Sequence, residues 1–259
     1  MGRIEKRLSL LKKEKKKALV FFVTAGFPEF TATENIAAAL EEGGADILEL
    51  GMPFSDPLAD GPVIQHSSAV ALRNGVTLDT IFRTATAIRS HSQIPLVLMG
   101  YLSPILEYGA NKFFTTASRS GIDGIILPEI PLEETDRFNS TIAQNNLSQI
   151  LLVTPTTSAE RIRKIDALSR GFLYCVSTTG VTGNNHRSDP NIYLQRVREN
   201  APMNPLLVGF GISTPEDAAA ITKASDGVII GSALIRKLDR RSSPAELTRW
   251  VREFRNAMP

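Results

Sequence analysis

The chain has 259 residues, 42% hydrophobic and 22% charged, with a formal net charge of +2. That length suits one α/β unit of ~250 residues with a core that needs no covalent staples, and so balanced a charge gives no general field for nucleic acid or an anionic membrane. The single cysteine, Cys175, excludes an internal disulfide and suits a reducing compartment.

The first residues, Met1-Gly2-Arg3-Ile4-Glu5-Lys6, lack the apolar stretch of a secretory signal, and Lys6 stands where a myristoylation motif needs Ser or Thr. No apolar run reaches the ~18 residues of a membrane span. The expected location is the cytoplasm, where the formal glycosylation acceptor Asn139-Ser140-Thr141 has no meaning. Ile4, Leu8 and Leu11 make one stripe of an extra N-terminal amphipathic helix. The run Lys12-Lys13-Glu14-Lys15-Lys16-Lys17 that follows reads as a solvated helix face in preference to a polyanion site.

Eight apolar runs follow in order: 18–26, 45–53, 95–102, 121–129, 148–155, 171–180, 205–213 and 226–234. Continuous Val, Ile, Leu and Phe, rather than strict alternation, marks parallel strands covered on both faces. Helical spacing separates them, as in Thr33 to Glu42, Thr77 to Ser90 and Ala159 to Leu168. At Thr214-Pro215-Glu216-Asp217 a capping residue, a first-turn proline and an acid three positions beyond the cap announce another helix. No linker or shift of composition interrupts the alternation. The predicted fold is α/β, a single (β/α)8 TIM barrel spanning 1–259 with an extra N-terminal helix; a doubly wound open sheet is the competing arrangement.

In such a barrel function sits at the carboxyl ends of the strands. The predicted ends carry Thr24; Glu49 and the loop Phe54 to Pro62; Tyr101 and Ser103; Glu129; Thr154 and Thr156; Tyr174 and the loop Thr178 to Gly183; Gly209-Phe210-Gly211; and Gly231-Ser232. No lysine lies in any predicted strand, which leaves a Schiff-base aldolase without its nucleophile. His66, His91 and His186 are far apart and form no zinc motif, so no metal is expected. Cys175, within an apolar strand, reads as packing. Carboxylates, hydroxyls and backbone amides remain, and they do acid–base chemistry.

Glu49 shares strand parity with Ile47, so both side chains point the same way. If that is the barrel interior, burial raises the carboxyl pKa towards neutrality and fits it to move a proton; a solvent-facing glutamate is the alternative. Asp60, at the end of a loop rich in Pro, Gly and Asp, reads by itself as a turn residue. Gly209-Phe210-Gly211 and Gly231-Ser232 fall at the ends of strands seven and eight, where barrels often hold phosphate on backbone amides, although glycines also simply make turns. The loop from Thr182-Gly183 through Asn184, Asn185, Arg187 and Asp189 reads as a lid or as a passive connection.

Longer strings carry a resemblance. Phe21-Phe22-Val23-Thr24-Ala25-Gly26-Phe27-Pro28 and the run from Glu49-Leu50-Gly51-Met52-Pro53-Phe54-Ser55-Asp56-Pro57 to Gln65 resemble the tryptophan synthase alpha chain family. Gly124 to Pro128, Thr154 to Thr157, Gly180 to Gly183, Gly209 to Ser213 and Gly231 to Ala233 match in order along essentially the whole chain. The resemblance implies a carbon–carbon lyase that splits indole-3-glycerol phosphate into indole and glyceraldehyde 3-phosphate in tryptophan biosynthesis, without a cofactor of its own. It implies catalytic roles for Glu49, Asp60 and Tyr174. Glu49 would handle protons at the glycerol hydroxyl and the ring carbon, and Asp60 would bind the indole nitrogen. It further implies substrate binding by Phe22 and Phe210 and phosphate binding by Gly183, Gly211, Gly231 and Ser232, to which Thr182, read from the strand-six loop itself, adds a candidate substrate-binding donor. The implied partner is a beta subunit carrying pyridoxal phosphate, in an alpha–beta–beta–alpha heterotetramer that receives the indole. A stand-alone lyase and a non-catalytic barrel that binds phosphorylated metabolites are the alternatives. Ser103, where the family usually has asparagine, and Glu129, where it usually has aspartate, depart from the pattern.

Overall fold

In the computed structural model, which describes residues 1–176, 190–209 and 211–259, the eight apolar runs become eight parallel strands closed into a barrel. The strands are β1 (Ala18–Thr24), β2 (Ile47–Gly51), β3 (Leu96–Met99), β4 (Gly124–Ile126), β5 (Ser148–Val153), β6 (Leu173–Val176), β7 (Leu206–Gly209) and β8 (Gly227–Ile230). Each pairs with the next. β1 also pairs with β8, from Ala18 opposite Gly227 to Phe21 opposite Ile230, which excludes the open sheet. Strands are shorter than their apolar runs. The fourth run, 121–129, supplies only Gly124–Ile126, because Pro128 cannot donate to a ladder and the chain turns at Gly121, whose φ is 87°.

Helices form the outer layer, and between some strands the chain makes two rather than one: α3 (Pro62–Arg73) and α4 (Leu78–His91) after β2, and α5 (Leu102–Tyr108) and α6 (Ala110–Arg119) after β3. The remaining elements are α1 (Arg3–Lys13), α2 (Ala32–Gly43), a 3-10 turn at Leu132–Glu134, α7 (Asp136–Gln144), α8 (Ala159–Leu168), α9 (Pro190–Asn200), α10 (Pro215–Ile221), α11 (Ser232–Asp239) and α12 (Pro244–Ala257). The start signal at Thr214 is borne out. Its hydroxyl accepts from the Asp217 amide at 3.2 Å while Asp217 accepts from the Thr214 amide at 3.0 Å, a reciprocal capping box on α10. Among the described residues no helix is long and apolar enough to cross a membrane.

Strand parity sorts the core into two layers. Outward residues such as Phe21, Leu48 and Leu50 pack under the helices. Inward residues Val20, Phe22, Ile47, Val97, Ile150 and Tyr174 fill the barrel together with Ile4, Leu8 and Leu11 of α1. The N-terminal helix is therefore a plug under the barrel, and its polar side is bonded to the strand entrances. Arg3 reaches Asp123 at 2.9 Å, Arg7 reaches Asp46 at 2.6 Å, and Ser148 donates to Glu5 at 2.8 Å. Three of the aspartates that precede strands are also bonded to the neighbouring strand. Asp46, Asp123 and Asp226 accept the backbone N–H of Leu19, Leu96 and Leu206 at 2.7, 2.9 and 2.7 Å. Of the lysine run, Lys16 pairs with Glu14 at 2.9 Å and Lys17 donates to the Ser225 carbonyl at 2.8 Å.

Because Ile4 is fully buried in the barrel floor, Ile4→Ala leaves a cavity that the closed sheet cannot collapse onto. It is expected to lower the unfolding free energy by about 2–5 kcal/mol in urea titrations. A change below about 1 kcal/mol would show that α1 does not plug the barrel.

Candidate functional site

Glu49 lies mid-strand in β2, between Phe22 of β1 and Val97 of β3 in the sheet register. Its parity is that of the inward residue Ile47, and the side chain is 0% exposed. Neither carboxyl oxygen has a hydrogen-bond partner among the described residues. With nothing to stabilise the anion, burial alone pushes its pKa up to about 8. The sequence expectation of an interior carboxyl whose pKa burial raises is met in both position and direction.

Asp60 arrives from the loop between β2 and α3. Its backbone serves the turn, with the Asp60 N–H donating to the Pro57 carbonyl at 3.0 Å. Its side chain does something else: Oδ2 accepts from the Tyr101 hydroxyl at 3.1 Å, while that hydroxyl accepts the Ala59 N–H at 3.0 Å. Burial raises the Asp60 pKa, and the Tyr101 hydrogen bond partly opposes it. Tyr101 is buried at the mouth beside Phe54, with ring centroids 5.1 Å apart. Glu129 accepts the Leu102 N–H at the start of α5, so the carboxylate that departs from the family pattern braces the residue following Tyr101.

Phe22 and Tyr174 point inward from β1 and β6. Their rings fit because glycines face them. A Cβ at Gly51 would come within 2.4 Å of the Phe22 ring, and one at Gly209 within 2.3 Å of the Tyr174 hydroxyl. The Tyr174 phenol is held well above its ordinary pKa by burial first and by the charges of Glu49 and Asp60 next. The charges of both carboxyls therefore reach the Tyr174 phenol.

Above them opens a cavity of ≈ 350 Å³ with apolar walls at Phe22, Ile64, Met99 and Ile229 and a polar end at Gly211, Ser213, Gly231 and Ser232. Asp60 and Tyr174 also line it. At the polar end α11 begins at Ser232 with no side-chain cap, which leaves its first amides to an anion. The structure thus brings together Glu49, Asp60, Tyr174, Phe22, Gly211, Gly231 and Ser232. Thr182, Gly183 and Phe210 lie outside the described residues, as does the loop read as a possible lid. Ile64, Met99, Ser213 and Arg236 line the cavity without having been singled out in the sequence, and Tyr101 was read only as a strand-end residue. No group of three or more His, Cys, Asp or Glu able to hold a metal occurs among the described residues. A larger cavity, ≈ 660 Å³, lies at the opposite end of the barrel against α1. The strand ends, where barrels do chemistry, are not there.

The family model described as tryptophan synthase alpha chain matches residues 8–258. The tryptophan synthase alpha chain of Geotalea daltonii is 46% identical over 244 residues, covering 93% of this chain and 92% of that one. That of Geobacter sulfurreducens is 45% identical over 260 residues, covering 100% and 98%. Among solved structures, tryptophan synthase subunit alpha from Legionella pneumophila superposes with a TM-score of 0.90 at 37% identity, covering 99% of this chain and 98% of that chain. Tryptophan synthase from M. tuberculosis in an aminoacrylate-bound form superposes with a TM-score of 0.90 at 29% identity, covering 100% of both chains.

The raised Glu49 pKa has a consequence for stability. Between the ordinary value of 4.5 and about 8 the folded chain holds a proton that the unfolded chain has released. Stability therefore falls as pH rises through that window and is lowest above it. Glu49→Gln removes this loss. The variant is expected to match wild type within about 1 kcal/mol at pH 5 and to exceed it by a few kcal/mol at pH 9 in urea unfolding. Equal differences at the two pH values would contradict the shift.

Proposed function

The chain belongs to the tryptophan synthase alpha chain family, and we propose that it cleaves indole-3-glycerol phosphate to indole and glyceraldehyde 3-phosphate as the alpha subunit of that enzyme. The observation that carries the chemistry is a fully buried carboxyl without a hydrogen-bond partner among the described residues, on a strand beside a cavity with apolar walls and a polar end.

Cleavage of the bond between the indole ring carbon and the glycerol chain needs a proton on the ring carbon and loss of one from the adjacent hydroxyl. Glu49, mostly neutral at pH 7, donates the first proton and becomes a carboxylate. As the carbon–carbon bond breaks, that carboxylate takes the hydroxyl proton, the electron pair of the broken bond restores the aromatic ring, and the aldehyde forms. The proton count closes within one turnover. Asp60 accepts a hydrogen bond from the indole N–H and stabilises the positive charge that protonation places on the ring. Its higher exposure and its bond to Tyr101 favour the ionised form more than the Glu49 site does, so the two carboxyls divide proton transfer and charge stabilisation. Tyr174 lines the same cavity as Asp60. Glu49 does not itself line the cavity, so either its side chain swings towards the ring or the indole displaces Phe22 or Tyr174 to reach it.

Phe22, Ile64 and Met99 give the indole an apolar berth, joined by Phe210. The amides of Gly211, Gly231 and Ser232, with Thr182 and Gly183, hold the phosphate. The reaction uses no cofactor in this chain. The beta subunit of a cytoplasmic alpha–beta–beta–alpha assembly carries pyridoxal phosphate and consumes the indole. Leu58, 84% exposed in the loop that carries Asp60, and Leu106, 54% exposed on α5, support a partner seated at the barrel mouth. The whole of 1–259 acts as one catalytic unit.

Incubation with indole-3-glycerol phosphate, alone and with a tryptophan synthase beta chain, tests this reading. Slow indole release that rises sharply with the beta chain is expected. Fast release alone would favour a stand-alone lyase, and none in either case would overturn the assignment. Glu49→Gln is expected to lower single-turnover cleavage by about a thousandfold or more while substrate still binds. Near-normal release by that variant would remove Glu49 from the mechanism.

A further inference from the structure

We propose that Arg236 is a substrate-binding residue that recognises the phosphomonoester dianion through its guanidinium, adding charge to a site otherwise built from amides. This rests on the proposed cleavage of a phosphorylated substrate and adds a residue to it. Among the described residues lining the mouth cavity, Arg236 is the only cation and Asp60 the only anion. Arg236 makes no hydrogen bond or ion pair with any described residue, whereas Arg7, Arg89, Arg198 and Arg255 each bond an aspartate.

Helix geometry puts the guanidinium where an anion would sit. Arg236 lies four residues after Ser232 on α11, hence on the same face one turn along. Side chains on a helix lean towards its N-terminus, so an arginine at this position covers the turn whose uncapped amides open to the cavity. Those amides offer partial positive charge and hydrogen bonds but no net charge. A guanidinium supplies the charge and presents paired donors to phosphate oxygens. The polar end therefore selects a phosphorylated substrate over an uncharged indole glycerol by charge as well as by shape. Arg236 is exposed, so the cost of holding it ready is small and its attraction extends into solvent.

The test uses the complete chain as wild type, Arg236→Met and Arg236→Lys. It measures kcat and KM for indole-3-glycerol phosphate at low and high salt, with inhibition by glycerol 3-phosphate and by indole. Arg236→Met is expected to raise KM about tenfold or more, with the loss in KM rather than kcat. Inhibition by glycerol 3-phosphate should weaken in the same proportion, inhibition by indole should be unchanged, and Arg236→Lys should recover part of the loss. Salt should raise the wild-type KM more than that of Arg236→Met. Unchanged KM and unchanged glycerol 3-phosphate inhibition would overturn the inference, as would a fall in kcat at constant KM. If wild type failed to cleave the substrate yet bound glycerol 3-phosphate in an Arg236-dependent way, the inference would stand and the proposed reaction would fall.

Discussion

A carboxyl group sealed inside a closed barrel with nothing to hydrogen-bond is expensive in its ionised form, and much of this molecule is arranged around keeping one there. Closure of β1 onto β8 removes the sheet edges, the outer helices cover one face, and α1 fills the floor. Burial in the lumen then raises the Glu49 pKa above its ordinary value. In an open sheet, or a barrel with a solvated floor, water would reach the same glutamate and return it to the behaviour of a surface acid.

The two ends of the barrel treat acids in opposite ways. At the base, Asp46, Asp123 and Asp226 are bonded by strand amides and arginines, and their role is to fix strand entrances. Towards the mouth, among the described residues, the carboxyl of Glu49 has no hydrogen-bond partner and that of Asp60 has a phenol. The residue type is nearly the same, and the difference is whether the surroundings complete the charge. Satisfied acids stabilise; unsatisfied ones retain the free energy that makes proton transfer useful. Local glycines extend the same logic, since Gly51 and Gly209 leave room for the Phe22 and Tyr174 rings beside the carboxyls.

Much of this was legible in the sequence because it rests on periodicity. Parity put Glu49 on the same face as Ile47, which the closed barrel makes the interior, and Thr214 with Asp217 announced α10, since both are properties of neighbours along the chain. The β8 to β1 closure was only a preference, because alternation of strand and helix suits open sheets equally. The doubled helices after β2 and β3 were also hidden, since an alternation of strand and helix does not count the helices within each connection. The Tyr101–Asp60 bond joins residues 41 apart through a loop whose path no local pattern specifies. Glu129 could be read as a departure from a family pattern, but not as a brace on the Leu102 amide, which depends on two strand ends meeting. Arg236 gave no signal at all: an arginine on an amphipathic helix is an ordinary surface residue until the cavity shows which way it faces.

The most direct test of the central claim is a titration of Glu49 itself. Carbon-13 labelling of glutamate carboxyls, with the Glu49 resonance assigned by its disappearance in Glu49→Gln, follows its protonation in the free protein from pH 4 to pH 10. A midpoint near 8 is predicted, from full burial without a hydrogen-bond partner among the described residues. A midpoint at the ordinary value of 4.5 would mean that Glu49 is hydrated or paired, and the proton-carrying role built on its burial would fail.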